Sequence, residues 1–161
     1  MSGKKKIGQV VRLEDVVEYM DLPSEEWTSH LNRRTGELVT VTGEDARAVE
    51  DGEEPEEPKA REARESGDYL ELPGRFEIDE YRIMERFSRD MENDAIRDEL
   101  LQAIGGRGAF RRFREVIHDR RITETWYAYR QEALERIAAD WLEVNGIRFT
   151  RGKPAPGADD A

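Results

Sequence analysis

Two hydrophobic periodicities divide this sequence, and the change from one to the other limits the folds open to it. Between Trp27 and Val41 the alternation has a period of two. Trp27, Ser29 and Leu31 share one side of an extended chain, "NRRTGE" offers a turn with Gly36, and "LVTV" is β-branched. That pattern predicts a β-hairpin. From Ile78 onward the period lengthens to that of a helix. One helix is expected over Ile78–Met91, with Tyr81, Met84, Phe87 and Met91 on one stripe. The next is capped by Asn93, carries Ile96, Leu100, Leu101 and Ile104, and ends at Gly105 and Gly106. A third covers Ala109–Asp119, and the longest runs from Thr123 or Glu124 to Val144, closed by "NG". Upstream, Val16, Val17 and Met20 share a face of a short helix over Leu13–Asp21, ended by Pro23. Asp45–Glu50 suits a brief helix, and "YLELP" at Tyr69–Pro73 is open to a third strand. The predicted class is α+β: a small N-terminal antiparallel sheet packed with a C-terminal bundle of about four helices.

At 161 residues the chain suits one domain with tails. The expected layout is a flexible N-terminus over 1–12, a single α+β domain over 13–149 and a disordered tail over 150–161. Charge is unevenly spread. Between Glu44 and Asp68 lie 11 acidic and 4 basic residues. The part "DGEEPEEPKAREARESGD" looks too polar to bury a core, so a mobile acidic excursion is expected at about 51–67. With no cysteine, disulfides, thiol catalysis and thiolate metal sites are excluded. "MSGKKKIGQV" has no apolar run behind it, and no stretch approaches the roughly 20 residues of a membrane span. A soluble, cytoplasmic protein with no membrane association is expected.

Four segments carry a resemblance. "FEIDEYRIMERF" (Phe76 to Phe87), "GRGAFRRF" (Gly106 to Phe113), "WYAYRQEAL" (Trp126 to Leu134) and "DWLEVNGI" (Asp140 to Ile147) together resemble an uncharacterised bacterial protein family, number 0158 of the UPF series. "LNRRTGELV" in the hairpin is similar to that family's N-terminal part. Tyr129 stands where phenylalanine is expected, and Gln131 where an acid is expected. The acidic excursion and the tail look particular to this chain. The resemblance brings no activity with it.

"GGRGAFRRFREVIHD" is the least expected stretch in a chain of net charge -11: six arginines between Gly105 and Arg121 face only Glu115 and Asp119. On a helical wheel Phe110, Phe113, Val116 and Ile117 fall within an arc of roughly 120° and are assigned to the core. Arg111, Arg114 and His118 lie opposite, and Arg112 lies beside Glu115 and Asp119, which are placed to engage it. Arg107 sits in a glycine turn ahead of free helix N–H groups. Arg107, Arg111 and Arg114 are therefore candidates for binding an anion or a partner, either an acidic protein or a phosphate-bearing ligand. The same pattern suits a solvated face, or one paired with the chain's own acids.

Arg130 falls inside the apolar stripe of Trp126, Tyr127, Leu134, Ile137 and Trp141, and Glu80 inside that of Tyr81, Ile83, Phe87 and Met91. A charge on an apolar stripe must snorkel or find a partner. Glu80 and Arg130 are thus a candidate structural ion pair, with Asp79 as the alternative acid. Trp126, Tyr127, Tyr129 and Trp141 suit the core better than a base-stacking platform. His30 and His118 are the only histidines, adjacent helix residues such as His118 and Asp119 are not expected to pair, and HExxH, GxSxG and P-loop motifs are absent. No catalytic residue, metal site or cofactor is assigned. Three readings stay open: a non-catalytic binding or regulatory module, an enzyme of undescribed type, and a nucleic-acid or phosphate binder using the same arginines. Nucleic acid is disfavoured by the acidic total. Oligomeric state is not indicated.

Overall fold

The structure, a computed structural model, describes residues 10–22 and 27–151. Most of the expected flexible N-terminus, Pro23 and most of the expected tail lie outside the described residues. The chain groups into two compact units where a single domain over 13–149 was expected. One comprises residues 1–74 and 137–161, and the other Arg75–Arg136.

The first unit holds two small sheets. Strand β1 (Val11–Arg12) leads directly into helix α1 (Leu13–Met20), whose Val16, Val17 and Met20 are buried as the periodicity required. Strands β2 (Trp27–Asn32) and β3 (Leu38–Thr42) form the expected antiparallel hairpin, with His30 opposite Val39. Asn32 fixes the turn: its Oδ1 accepts from the amides of Arg34 at 2.8 Å and Thr35 at 3.0 Å, and Gly36 takes φ 83°. Helices α2 (Gly43–Glu50) and α3 (Pro58–Ser66) follow, then β4 (Tyr69–Glu71). β4 lies antiparallel to β2 on its other edge, completing the order β3-β2-β4. The class is α+β.

Helix α3 corrects the expectation for the acidic stretch. Composition argued that 51–67 cannot contribute to a core, yet Ala60 is buried and Pro55 is among the most fully buried residues. The reason is a buried carboxylate. Asp45, only 5% exposed, accepts hydrogen bonds from the amides of Glu56 at 3.0 Å and Glu57 at 3.1 Å. These donors lie just ahead of Pro58, where a helix start favours an anion. Arg61 reinforces the loop, donating from Nε to the Pro55 carbonyl and from Nη2 to the Glu56 carbonyl. Backbone hydrogen bonds thus hold this run alongside the burial of Pro55 and Ala60.

The terminal boundaries also change. Val11 is buried, and β1 pairs in parallel with β5 (Phe149–Thr150). Neither strand exceeds two residues, so neither shows a period.

The second unit is helical: α4 (Arg75–Ile78), α5 (Glu80–Asp90), α6 (Asp94–Ala103) and α7 (Ala109–Asp119). The last helix, α8 (Thr123–Val144), begins here and continues into the first unit. The single helix expected over Ile78–Met91 is broken at Asp79, which takes φ 53° and caps α5 by accepting from the Arg82 amide. The apolar period continues across the break and so conceals it. Asn93 caps α6 as expected, accepting from the Ile96 amide at 2.9 Å. The core is aromatic. Phe87, Phe113 and Trp126 meet edge to face with centroids 4.8 to 6.1 Å apart, and Tyr129 joins through Phe87 at 5.2 Å. Leu101 and Tyr127, placed on apolar stripes by the sequence, are exposed. At its far end α8 closes through Gly146 at φ 70°, with the Ile147 amide donating back to the Leu142 carbonyl.

Asp45→Ala is expected to destabilise the chain by about 1–3 kcal/mol, the loss of two hydrogen bonds to a buried carboxylate from partly buried amides. Hydrogen exchange should speed up at Glu56 and Glu57 and remain unchanged at Ile96, whose cap is separate.

Candidate functional site

The turn between α6 and α7 is built by one arginine. Arg112 donates from Nε to the Ala103 carbonyl at 2.9 Å and from Nη2 to the Gly105 carbonyl. The carbonyl between them, of Ile104, accepts from the Tyr81 hydroxyl at 2.9 Å. Three successive carbonyls at the end of α6 are thereby satisfied by side chains, one of them a cation facing the negative end of the helix. The sequence placed Arg112 beside Glu115 and Asp119; the structure turns it instead onto α6, where its fork meets two acceptors. The glycines make this geometry. Gly106 and Gly108 take φ 77° and 74°. A Cβ at Gly108 would stand 3.0 Å from an Arg112 Nη atom. Arg120 ties the far end of the same helix pair, its Nε 2.7 Å from Glu99 Oε1.

With Arg112 committed, the remaining arginines face outward. Arg107, Arg111 and Arg114 are exposed. Arg111 has one partner, Glu115 at 4.0 Å, with both side chains well solvated. Such a pair contributes little. Arg107 and Arg114 have no ion pair or hydrogen bond among the described residues. Beside them stands Phe110, assigned to the core by its place on the wheel but 45% exposed. Phe113, Val116 and Ile117 fill that core; Phe110 marks its outer edge in the first turn of α7.

Glu80 and Arg130 are brought together. Arg130 Nε donates to Glu80 Oε2 at 2.7 Å and its Nη2 to Oε1 at 3.1 Å. The pair is bidentate and partly shielded, the side chains 20% and 32% exposed for Arg130 and Glu80. Asp79, the alternative acid, is used as the α5 cap. The neighbouring aromatic residues leave no stacking platform at Trp126, which is buried. Tyr129 is half-buried, and burial raises its phenol above the ordinary value, reinforced by Asp90, 3.4 Å from the hydroxyl.

The histidines do not converge with these groups. His118 is exposed and, contrary to expectation, reaches the neighbouring Asp119 at 3.6 Å, although water surrounds both. His30 lies on β2 across from Glu71. Its Nδ1 is buried without a hydrogen-bond partner among the described residues. Burial pushes the imidazole below its usual value, opposed by Glu71. Among the described residues no group of three or more His, Cys, Asp or Glu is placed to hold a metal ion. An open groove on α3 is lined by Glu54, Pro58, Arg61, Glu62, Glu65 and Ser66, none of them a candidate residue. Among the described residues no helix is long and apolar enough to cross a membrane.

The model of one family, described as an uncharacterised protein family, UPF0158, matches residues 9–155. The chain belongs to the UPF0158 family. The match extends well beyond the four segments that carried the resemblance and spans the acidic stretch held by Asp45. No curated protein and no solved structure matches the chain. UPF0158 membership therefore comes without an activity, and the site rests on its geometry.

Two outcomes follow for this UPF0158 chain. A double-mutant cycle of Glu80→Gln and Arg130→Met should give a coupling of about 1–3 kcal/mol, as for hydrogen bonds between charged groups that keep some solvent. Urea unfolding reads it, and unchanged stability in Arg130→Met removes the pair from the architecture. Because the folded-state pKa of His30 is depressed, the unfolded chain binds more protons as pH falls. Stability should drop as pH falls through the ordinary histidine range, about 6.5, and His30→Gln should flatten that slope.

Proposed function

We propose that this chain is a non-catalytic binding or regulatory module whose partner site is the turn before α7 and the outward face of that helix, at Arg107, Arg111 and Arg114. The observation that carries this reading is the grouping of exposed arginines on one turn and one helix face. Arg82, Arg89, Arg97, Arg112, Arg120 and Arg130 each engage a carboxylate or a carbonyl. Arg107 and Arg114 engage neither among the described residues, in a chain where acids outnumber bases 37 to 26. Cations left open on an otherwise acidic chain suit a partner that brings its own negative charge. The Arg112 clamp holds that face in a fixed conformation, which lowers the entropy cost of binding. We place the module in the bacterial cytoplasm, a compartment that suits a cysteine-free chain.

The test is a pull-down from lysate with the wild type beside an Arg107→Glu/Arg111→Glu/Arg114→Glu variant, with and without nuclease. All three positions are exposed, so each change should cost less than about 0.5 kcal/mol. A partner retained by the wild type and lost by the variant is the expected result. Identical retention by both chains defeats the proposal.

A further inference from the structure

The outward side of α7 is more than a set of charges. At about 100° per residue, Phe110, Arg114, His118 and Arg111 fill one arc of about 100°. Phe110 and Arg114 are one helical turn apart, and Arg111 and Arg114 are neighbours at i, i+3. The buried Ile117 bounds the arc on one side and Glu115 on the other, so the arc itself contains no acid. It joins a half-exposed phenyl ring to Arg114, which has no side-chain partner among the described residues, and to Arg111, whose single partner Glu115 stands 4.0 Å away in solvent. Aromatic residues and arginine are enriched at protein interfaces, where they supply much of the binding energy.

The charge balance selects the occupant. A nucleic acid brings a long run of phosphates, and the net charge of -11 opposes its approach while only three candidate arginines attract it. A short peptide brings few charges and meets little of that repulsion. Its carboxylates suit the guanidinium forks of Arg111 and Arg114. Its own apolar group would cover Phe110, which otherwise stays in water.

Resting on the binding-module reading, we propose that this stripe docks a short acidic peptide segment of a partner protein, with carboxylates on Arg111 and Arg114 and a large apolar side chain on Phe110. The probe is a phage-displayed library of random 12-residue peptides, panned on the full chain and on an Arg111→Glu/Arg114→Glu variant. Enriched peptides are synthesised, labelled and titrated by fluorescence anisotropy against both chains and against Phe110→Ala. Circular dichroism melts confirm that each variant is folded.

Enriched sequences should combine Asp or Glu with Leu, Phe or Trp. Their affinity should fall at least about tenfold on the double variant and on Phe110→Ala, the change expected when a central contact of about 1.4 kcal/mol is lost. Higher salt should weaken binding to the wild type. Enrichment of peptides without acids, no enrichment, or equal binding by the double variant overturns the proposal. So does tighter binding of a labelled oligo-uridine, or a wild-type dimer in sedimentation that the double variant abolishes. If the triple variant loses a lysate partner while no acidic peptide binds, the binding-module reading stands and the peptide assignment falls.

Discussion

The helical unit depends on a cation placed at the end of a helix. Arg112 donates to the Ala103 and Gly105 carbonyls, Tyr81 takes the carbonyl between them, and the last turn of α6 keeps no orphan acceptor among these three. This fixes the turn into α7 and hence the direction in which that helix faces. Phe113, Val116 and Ile117 then enter the aromatic core, while Arg111 and Arg114 remain in water. The glycines on either side of Arg107 permit the backbone that lets the clamp close.

Several side chains at turns and helix ends satisfy backbone groups. Asn32 closes the hairpin turn, Asp45 collects two amides ahead of α3, and Asp79 and Asn93 cap α5 and α6. For so charged a chain this is an effective use of polar groups. An exposed ion pair contributes little, whereas an unsatisfied buried amide or carbonyl costs about 1–3 kcal/mol. Among the side-chain pairs, Glu80 and Arg130 combine two-point geometry with partial shielding.

This preference explains what the sequence disclosed. Periodicity placed the hairpin and located α6, α7 and α8 because each repeats its apolar side over several turns. Glu80 and Arg130 stood out because each interrupts an apolar stripe. Phe110, Leu101 and Tyr127 were misplaced because a wheel identifies a face but not where packing along it stops. Asp79 hid inside an unbroken period. Asp45 and Arg112 were beyond reach for another reason: their partners are main-chain groups, identical at every residue, so no side-chain pattern announces them. The open arginines of α7 were legible as an excess of charge, but their separation from Arg112 needed the turn geometry.

The parallel pairing of Val11–Arg12 with Phe149–Thr150 joins segments far apart in the sequence. The unit to which it belongs is discontinuous, and the helical unit over Arg75–Arg136 is inserted within it. The inserted segment is continuous, so its aromatic core closes through contacts nearer in sequence than the pairing of the two terminal strands. Joining Val11 to Phe149 therefore carries the loop-closure entropy of everything between them, whereas α7 lies wholly within the continuous segment.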